Sequence, residues 1–353
     1  MLQWFISGCA PARPCRRGYL PSVIWLASAL GCTALMAQDL HFSQYELVPT
    51  QLNPALTASD PDWDTRLGLV YRDQWRSVPV TYQTAQLFYD RKLDLAFLPQ
   101  GEWGLGATFL HDQAGDGQLS WSQLGLRLSY GVALNQQHRI ALGLGTDVGQ
   151  RAIRLEQLAF EDQYNGEVFD PNSLTAEQLD RSAAGFASLQ AGVLYQWEDR
   201  RTEKLIQAGW STYHLNQPLI RFQDDQGIAL SMRHALHLKG SKHFTEQWET
   251  LVYAHQLFQG PYFESLLRVG ARYHTTYREE ALVVGANLAH RLGDAWIPQL
   301  TLQYGPWLLG LTYDFNSSAF RTATTGRGGS ELVLHYYLKQ VKPPDAFKSC
   351  PIF

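Results

Sequence analysis

Apolar and polar residues alternate at every second position in one segment after another of this chain. The cleanest case spans residues 124–134. Leu124, Leu126, Leu128, Tyr130, Val132 and Leu134 form one set, and Gln123, Gly125, Arg127, Ser129, Gly131 and Ala133 the other. In a strand the two sets face opposite sides, so one face is greasy and the other small or polar. The same division recurs. Ile140, Leu142, Leu144 and Val148 oppose Gly143, Gly145, Asp147 and Gly149; Leu267, Val269 and Tyr273 oppose Arg268, Gly270 and Arg272; Trp307, Leu309 and Leu311 oppose Gly310, Thr312 and Asp314. No apolar run after residue 37 is long enough for a membrane-spanning helix, and no long amphipathic helix interrupts the pattern.

About 14 such segments follow one another, most reaching the roughly 9–11 residues of a tilted membrane strand. They begin near Arg66, Val80, Trp103, Leu119, Arg139, Ala184, Lys204, Ile228, Gln247, Glu264, Ala281, Trp296, Trp307 and Ser330. An even number puts both chain ends on one side of a barrel. If that side is periplasmic, the connections after even-numbered strands should be short. Residues 135–138, 198–203, 245–246 and 305–306 fit. The longest connection, residues 154–182, and the stretches 215–227 and 317–329 fall on the opposite side.

A closed cylinder of about 14 strands is too wide for side chains to fill. Its interior must be wet, plugged or both, which suits the Gly/Arg/Gln face. The Leu/Val/Tyr face then needs an apolar exterior, and closure pairs every backbone N–H and C=O as a bilayer demands. A soluble two-sheet sandwich would instead bury the greasy faces against each other, and alternation alone does not separate the two. Three further features favour the membrane. The first is the asymmetry of the connections. The second is the aromatic content: 11 Trp, 17 Tyr and 16 Phe in 353 residues, with only 45% of residues hydrophobic, suit interfacial girdles. The third is the N-terminus, where Arg13, Arg16 and Arg17 precede a short apolar stretch, residues 19–32, and small residues ending at Ala37. This reads as an export signal cleaved after Ala37; lipidation at Cys32 is the alternative. Cleavage would remove Cys9, Cys15 and Cys32 and leave Cys350 with no intrachain partner. The expected organisation is a signal peptide at 1–37, an extended segment or plug at 38–64, an all-β transmembrane antiparallel up-and-down barrel at 65–339, and a periplasmic tail at 340–353.

Composition and motifs exclude several functions. A net charge of -4 argues against nucleic-acid binding. The 11 histidines show no H-E-x-x-H or paired ligand spacing, and no G-x-S-x-G elbow supports a hydrolase. No metal, cofactor or catalytic residue is expected.

Several short motifs occur in a telling order. Gln38-Asp39-Leu40-His41-Phe42-Ser43-Gln44-Tyr45 is followed by Leu52-Asn53-Pro54-Ala55-Leu56, then Tyr71-Arg72-Asp73-Gln74-Trp75. Gly104-Leu105-Gly106, Asp112-Gln113-Ala114-Gly115 and Phe160-Glu161-Asp162-Gln163 come next. Tyr313-Asp314-Phe315-Asn316, Gly328-Gly329-Ser330-Glu331-Leu332 and Cys350-Pro351-Ile352-Phe353 complete the set. Across residues 38–353 the chain resembles the PorP/SprF family of type IX secretion membrane proteins, departing at Leu40, where the family typically has Pro. The resemblance implies a non-enzymatic outer-membrane barrel in a Bacteroidota-type cell, working in protein secretion or gliding motility. Its implied partners are outer-membrane lipid, the periplasmic ring of PorK/GldK and PorN/GldN type, or a peptidoglycan-binding protein. A surface adhesin or secreted client is implied on the other side. A passive channel for small or hydrophobic solutes is the alternative.

The candidate partner-contact residues are Phe42, Ser43, Gln44, Asn53, Pro54, Ala55, Tyr71, Arg72, Gln74, Trp75, Asp162, Gln163, Asp314, Asn316, Glu331, Cys350 and Phe353. Asn53-Pro54-Ala55 reads as a turn or as part of a lumenal plug contact over residues 39–58. Arg72, with the parity of Arg66 and Gly68, reads as a lumen ion pair or as a selectivity residue. The other lumen-parity charges are Arg127, Asp147, Arg233, Lys239, Arg268, Arg272, Asp314 and Glu331. They read as structural pairs, with anion selection as the alternative. Trp75 suits an interfacial anchor. The tail after Gln340, broken by Pro343-Pro344, reads as a disordered end or a docking peptide.

Overall fold

A computed structural model describes residues 39–339, except 75–81, 96–100, 116–118, 155–157, 159, 165, 171–172, 174–180, 224–226, 319–320 and 325. The expected signal at 1–37, Gln38, Trp75 and the 340–353 tail with Cys350 and Phe353 lie outside the described residues.

Fourteen antiparallel strands close into a barrel, each paired with its neighbours in sequence. They are β1 (Thr65–Gln74), β2 (Tyr82–Leu93), β3 (Glu102–Ala114), β4 (Leu119–Ala133), β5 (His138–Ala152), β6 (Ala183–Asp199) and β7 (Lys204–Tyr213), followed by β8 (Arg233–His243), β9 (Trp248–Gln259), β10 (Tyr262–Tyr277), β11 (Glu280–Arg291), β12 (Ala295–Tyr304), β13 (Trp307–Asn316) and β14 (Arg327–Leu338). The first and last strands seal the cylinder, in register from Thr65 opposite Leu338 to Gln74 opposite Gly329.

The alternation sorts residues as a membrane barrel requires. On β4, Leu124 and Leu126 are 64% and 59% exposed on the outer face, whereas Arg127 between Leu126 and Leu128 is 1% exposed. Outward aromatics gather at both ends of the strands. At one end, cross-strand pairs pack at tilted angles, Trp103–Tyr130, Trp248–Tyr273 and Trp307–Tyr336, with ring centroids 4.5–5.0 Å apart. At the other end, Trp210, Phe258, Phe263, Trp296 and Phe315 are exposed. Two girdles flanking an apolar band match the interfaces of a bilayer. A cation placed in that band meets hydrocarbon, so Leu126→Arg should destabilise the barrel by about 2–4 kcal/mol. Urea unfolding in lipid vesicles measures it; an unchanged midpoint would mean that Leu126 faces water.

The three longest connections all lie on the same rim. On one rim lie the turns at 134–137, 200–203, 244–247, 278–279 and 305–306 and the longer 94–101. On the other lie 153–182, 214–232 and 317–326, together with 75–81 and the tight links at 115–118, 260–261 and 292–294. These are called the turn rim and the loop rim below. Arg278 and Glu279 both take positive φ, 51° and 67°, as a two-residue turn matched to the twist of β10 and β11 requires.

One expected strand start is displaced. Ile228–Ala229 does not begin the eighth strand but pairs with Leu219–Ile220 in a small hairpin within the 214–232 connection. The wall strand begins at Arg233, opposite Tyr213, the last residue of β7. Before Arg233 the wall ladder has stopped on both sides, at Tyr213 of β7 and Gln259 of β9. The alternation of the preceding residues is used locally, with Ile220 and Leu230 buried.

Candidate functional site

Residues 39–58 lie inside the barrel. Asp39 is at the loop rim, where its N–H donates to Gln259 Oε1 (2.8 Å). Ala58 is near the turn rim, where its N–H donates to Asp90 Oδ2 (2.7 Å). The segment therefore runs through the lumen antiparallel to β1. Two prolines shape it. Pro49 opens the one-turn helix Pro49–Leu52, and Pro54 opens the 3-10 turn Pro54–Leu56, at positions where a missing N–H costs nothing. Asn53 between them is extended, and its Oδ1 accepts from Ala55 N (2.8 Å). Phe42, Tyr45, Val48, Leu52 and Ala55 are buried, so the segment supplies an apolar core that the wall alone cannot.

The lumen-facing glycines make room for it. A Cβ on Gly143 (β5) would sit 2.1 Å from Ala55 N, and one on Gly192 (β6) 2.1 Å from Asn53 Oδ1. Across this flat bed Asn53 Nδ2 donates to the carbonyls of Val193 (3.0 Å) and Trp210 (3.3 Å). Asn53, Pro54 and Ala55 thus form one seat, held by β5, β6 and β7. Further contacts fasten the backbone on either side. Ser211 Oγ donates to Leu52 O (2.6 Å), Ser129 Oγ to Thr57 O (2.7 Å) and Arg233 Nη2 to Gln51 O (3.1 Å).

Phe42, Ser43 and Gln44 form the second seat, beside the seam where β1 meets β14. Glu331 on β14 accepts two consecutive amides, from Ser43 (2.7 Å) and Gln44 (3.0 Å), one on each oxygen. Arg72 on β1 bridges Glu331 Oε2 (2.9 Å) and Asp314 Oδ2 (3.0 Å). Ser43 Oγ donates to Asp314 Oδ1 (2.7 Å) and accepts from Arg72 Nη1 and Arg291 Nη2. Arg268 pairs with Glu46 (2.6 Å) and also donates to Ser43 O. Asp314 sits where the β13–β14 ladder shifts between Tyr313 and Phe315, an irregularity of the kind that re-aims a side chain. These ion pairs are out of water, where removing one partner costs far more than the pair contributes.

A third contact holds Asp39. Its carboxylate meets His214 Nε2 at 2.7 Å and lies 3.7 Å from Arg233 Nε.

The structure brings six of the candidate residues into the seam seat: Phe42, Ser43, Gln44, Arg72, Asp314 and Glu331. Of the other lumen-parity charges, Arg127 pairs with Asp147 (2.7 Å), Arg233 lies by Asp39 (3.7 Å), Arg268 pairs with Glu46 (2.6 Å) and Arg272 lies by Glu249 (3.5 Å), whereas Lys239 is in no ion pair among the described residues. The remaining candidates lie elsewhere. Tyr71 is exposed on the outer face. Gln74 ends β1 at the loop rim, and Asn316 ends β13 there, bonded to Thr324 Oγ1 (3.1 Å). Asp162 and Gln163 form a 3-10 turn in the long loop, where Gln163 Nε2 donates to Ser173 O (2.9 Å). Sequence reasoning overlooked Gln299, which donates to Gln44 Oε1 (3.0 Å) and Glu46 Oε1 (2.8 Å), and also His214 and Ser211. Gln299 has lumen parity on β12, a signal that was available. His214 lies beyond β7 and carried none.

Residues 34–336 match the family described as Type IX secretion system membrane protein PorP/SprF. No curated protein matches the chain. Among solved structures, it is similar to the Ralstonia pickettii toluene transporter TbuX (10% identity, 82% of this chain, 92% of that one, TM-score 0.48). The Pseudomonas putida toluene transporter TodX gives 13%, 82%, 93% and 0.48. The translocator domain of the autotransporter NalP from Neisseria meningitidis gives 8%, 83%, 95% and 0.44. At these values the likeness carries no functional argument.

Proposed function

The chain belongs to the PorP/SprF family of type IX secretion system membrane proteins, and from that premise we propose that it is a non-catalytic, plugged barrel linking periplasmic and surface components of that machinery. Its fold is that of an outer-membrane β-barrel, and membership of a secretion system implies association with other components of it. The observation that carries the reading is the lumenal segment. A passive channel needs a wet path between its mouths. Here residues 39–58 run from one mouth to the other, fastened by the buried carboxylates of Asp39 and Glu46 on His214 and Arg268, by two amides on Glu331, and by glycines that leave no slack. What remains for partners is the two rims.

In this reading the turn rim and the 340–353 tail face the periplasm, where ring components of PorK/GldK and PorN/GldN type or a peptidoglycan-binding protein dock. The loop rim, with the 153–182 and 214–232 connections, meets an exported adhesin or secreted client. The single-sided distribution of long loops supports this orientation.

Crosslinking in membranes tests the linkage. A periplasmic ring component is expected to co-purify with the full chain and to be lost when residues 340–353 are deleted. Retention after that deletion, or no crosslink to any periplasmic component, would remove the proposed link. Planar bilayers test the plug. The wild-type barrel should show no large stable conductance, and a large one would favour a solute channel instead.

A further inference from the structure

At the turn rim, away from both plug seats, three lumen-facing side chains from three adjacent strands converge: His243 at the end of β8, Glu249 on β9 and His274 on β10. One ligand-type atom from each lies within 4.8 Å of the other two. His274 Nε2 is 3.1 Å from Glu249 Oε2, and His243 Nε2 is 3.9 Å from the same oxygen. The two imidazole rings are 4.8 Å apart and inclined at 45°. A fourth group stands beside them. Glu203, in the turn before β7, has Oε2 3.6 Å from His243 Nδ1 and its carbonyl accepts the His243 N–H (3.2 Å).

We infer that His243, Glu249 and His274 form a binding site for a divalent first-row transition metal ion of the Zn2+ class. The chemistry of the donors selects the ion. Two imidazoles and a carboxylate suit Zn2+, Co2+ or Ni2+, whereas Ca2+ and Mg2+ take oxygen ligands. Three protein ligands with an open position form a recurrent zinc arrangement. Donor atoms around a tetrahedral Zn2+ stand roughly 3.3 Å apart, given bonds of about 2.0–2.1 Å. Two of the three separations, 3.1 and 3.9 Å, bracket that spacing and the third is within 4.8 Å, so rotation about the side-chain bonds closes the set. The wall holds the ligands in place. His243 is paired opposite Glu249, and the His274 N–H donates to Gln247 O (2.7 Å).

Within the cluster His274 Nε2 already shares a hydrogen bond with Glu249 Oε2 (3.1 Å), which a bound metal ion replaces. His243 Nε2 is beyond hydrogen-bond reach of Glu249. Arg272 Nη1 is 3.5 Å from Glu249 Oε2, longer than a charge-assisted hydrogen bond of about 2.7–2.9 Å. Arg272 is nonetheless a cation beside the site and competes with a metal for that carboxylate. His243 and His274 are partly exposed while Glu249 is buried, so the ion has access from the turn-rim mouth. Bound there, it ties β8, β9 and β10 together at that mouth.

The test uses full-length mature protein without a histidine tag, in detergent micelles near neutral pH, titrated with Co2+ and followed by visible absorption. One Co2+ per barrel is expected, displaceable by Zn2+. His243→Ala and His274→Ala should each weaken binding by at least about tenfold, since each removes a direct ligand. His111→Ala, elsewhere on the wall, should leave it unchanged. Arg272→Gln should tighten it, because the competing cation is gone. Each variant is first shown to retain the wild-type heat-modifiable band on gels, so that loss of binding is not loss of fold. A wild-type barrel that gives no Co2+ spectrum at millimolar ion overturns the assignment. So does a folded His243→Ala/His274→Ala double variant that binds like the wild type.

Discussion

Arg72→Ala should destabilise the barrel by about 3–5 kcal/mol, the usual cost of stripping one partner from a buried ion pair. The side chain is 2% exposed and bridges Asp314 and Glu331 at 3.0 and 2.9 Å. Without it, two carboxylates face each other across Ser43 with Arg291 as the remaining cation beside Asp314 (3.2 Å). Two consequences follow. The closed form should unfold at a much lower denaturant concentration, and the segment at 42–44 should become open to protease. Arg72→Lys should rescue only part, since an ammonium cannot reproduce the guanidinium fork to two acids. Combining Arg72→Ala with Asp314→Asn and Glu331→Gln should recover much of the loss, because no charge is then stranded. If Arg72→Ala unfolds at the wild-type midpoint, the seam seat contributes nothing to stability. Recovery in the triple variant would identify charge burial, rather than lost packing, as the cause.

Gly143→Ala combined with Gly192→Ala should drive Asn53, Pro54 and Ala55 off the wall while the barrel still assembles. The added methyls meet Ala55 N and Asn53 Oδ1, each at 2.1 Å, and Pro54 C at 2.3 Å. The obstacles at Gly143 are backbone, so no side-chain rotation relieves them. Overpacking of this kind costs about 1–3 kcal/mol per site. Fourteen strand pairings hold the wall independently, so the strain is relieved by moving the segment. Hydrogen exchange should show Ala55 losing protection, and planar bilayers should show a conductance that the wild type lacks. Gly185→Ala is the control, because a Cβ there meets only Gly149 O at 3.8 Å. A double variant as tightly closed as the wild type would mean that residues 53–55 do not rest on this bed.

The barrel was legible in the sequence because its physics is local. Side chains alternate with period two, and a bilayer demands the same sorting on every strand. The connection lengths followed from the same reading. The one displaced start, Ile228, fails for an instructive reason: Ile228 and Leu230 keep strand-like alternation, but the wall beside them has ended at Tyr213. The glycines of the inner face were visible as small residues, yet only the folded chain shows that Asn53 and Ala55 lie against them. The contact between Arg72 and Glu331 spans most of the chain. Parity predicted that both point inward, and the register of β1 with β14, where Arg72 faces Glu331, brings them together. His243, Glu249 and His274 escaped notice for a related cause. Their ligand spacing is set across three strands and appears nowhere along the sequence.

The course of residues 39–58 has a topological consequence. The stretch that comes before the first wall strand enters the cylinder at the end where that strand begins and finishes at the far mouth, with Asp39 beside Gln259. A finished, rigid ring would have to be threaded like a needle, dragging Glu46 and Asp39 past a gauntlet of arginines. A curtain of strands drawn around a waiting cord meets no such obstacle, and Ser43, which touches both the opening and the final strand, is where that curtain fastens.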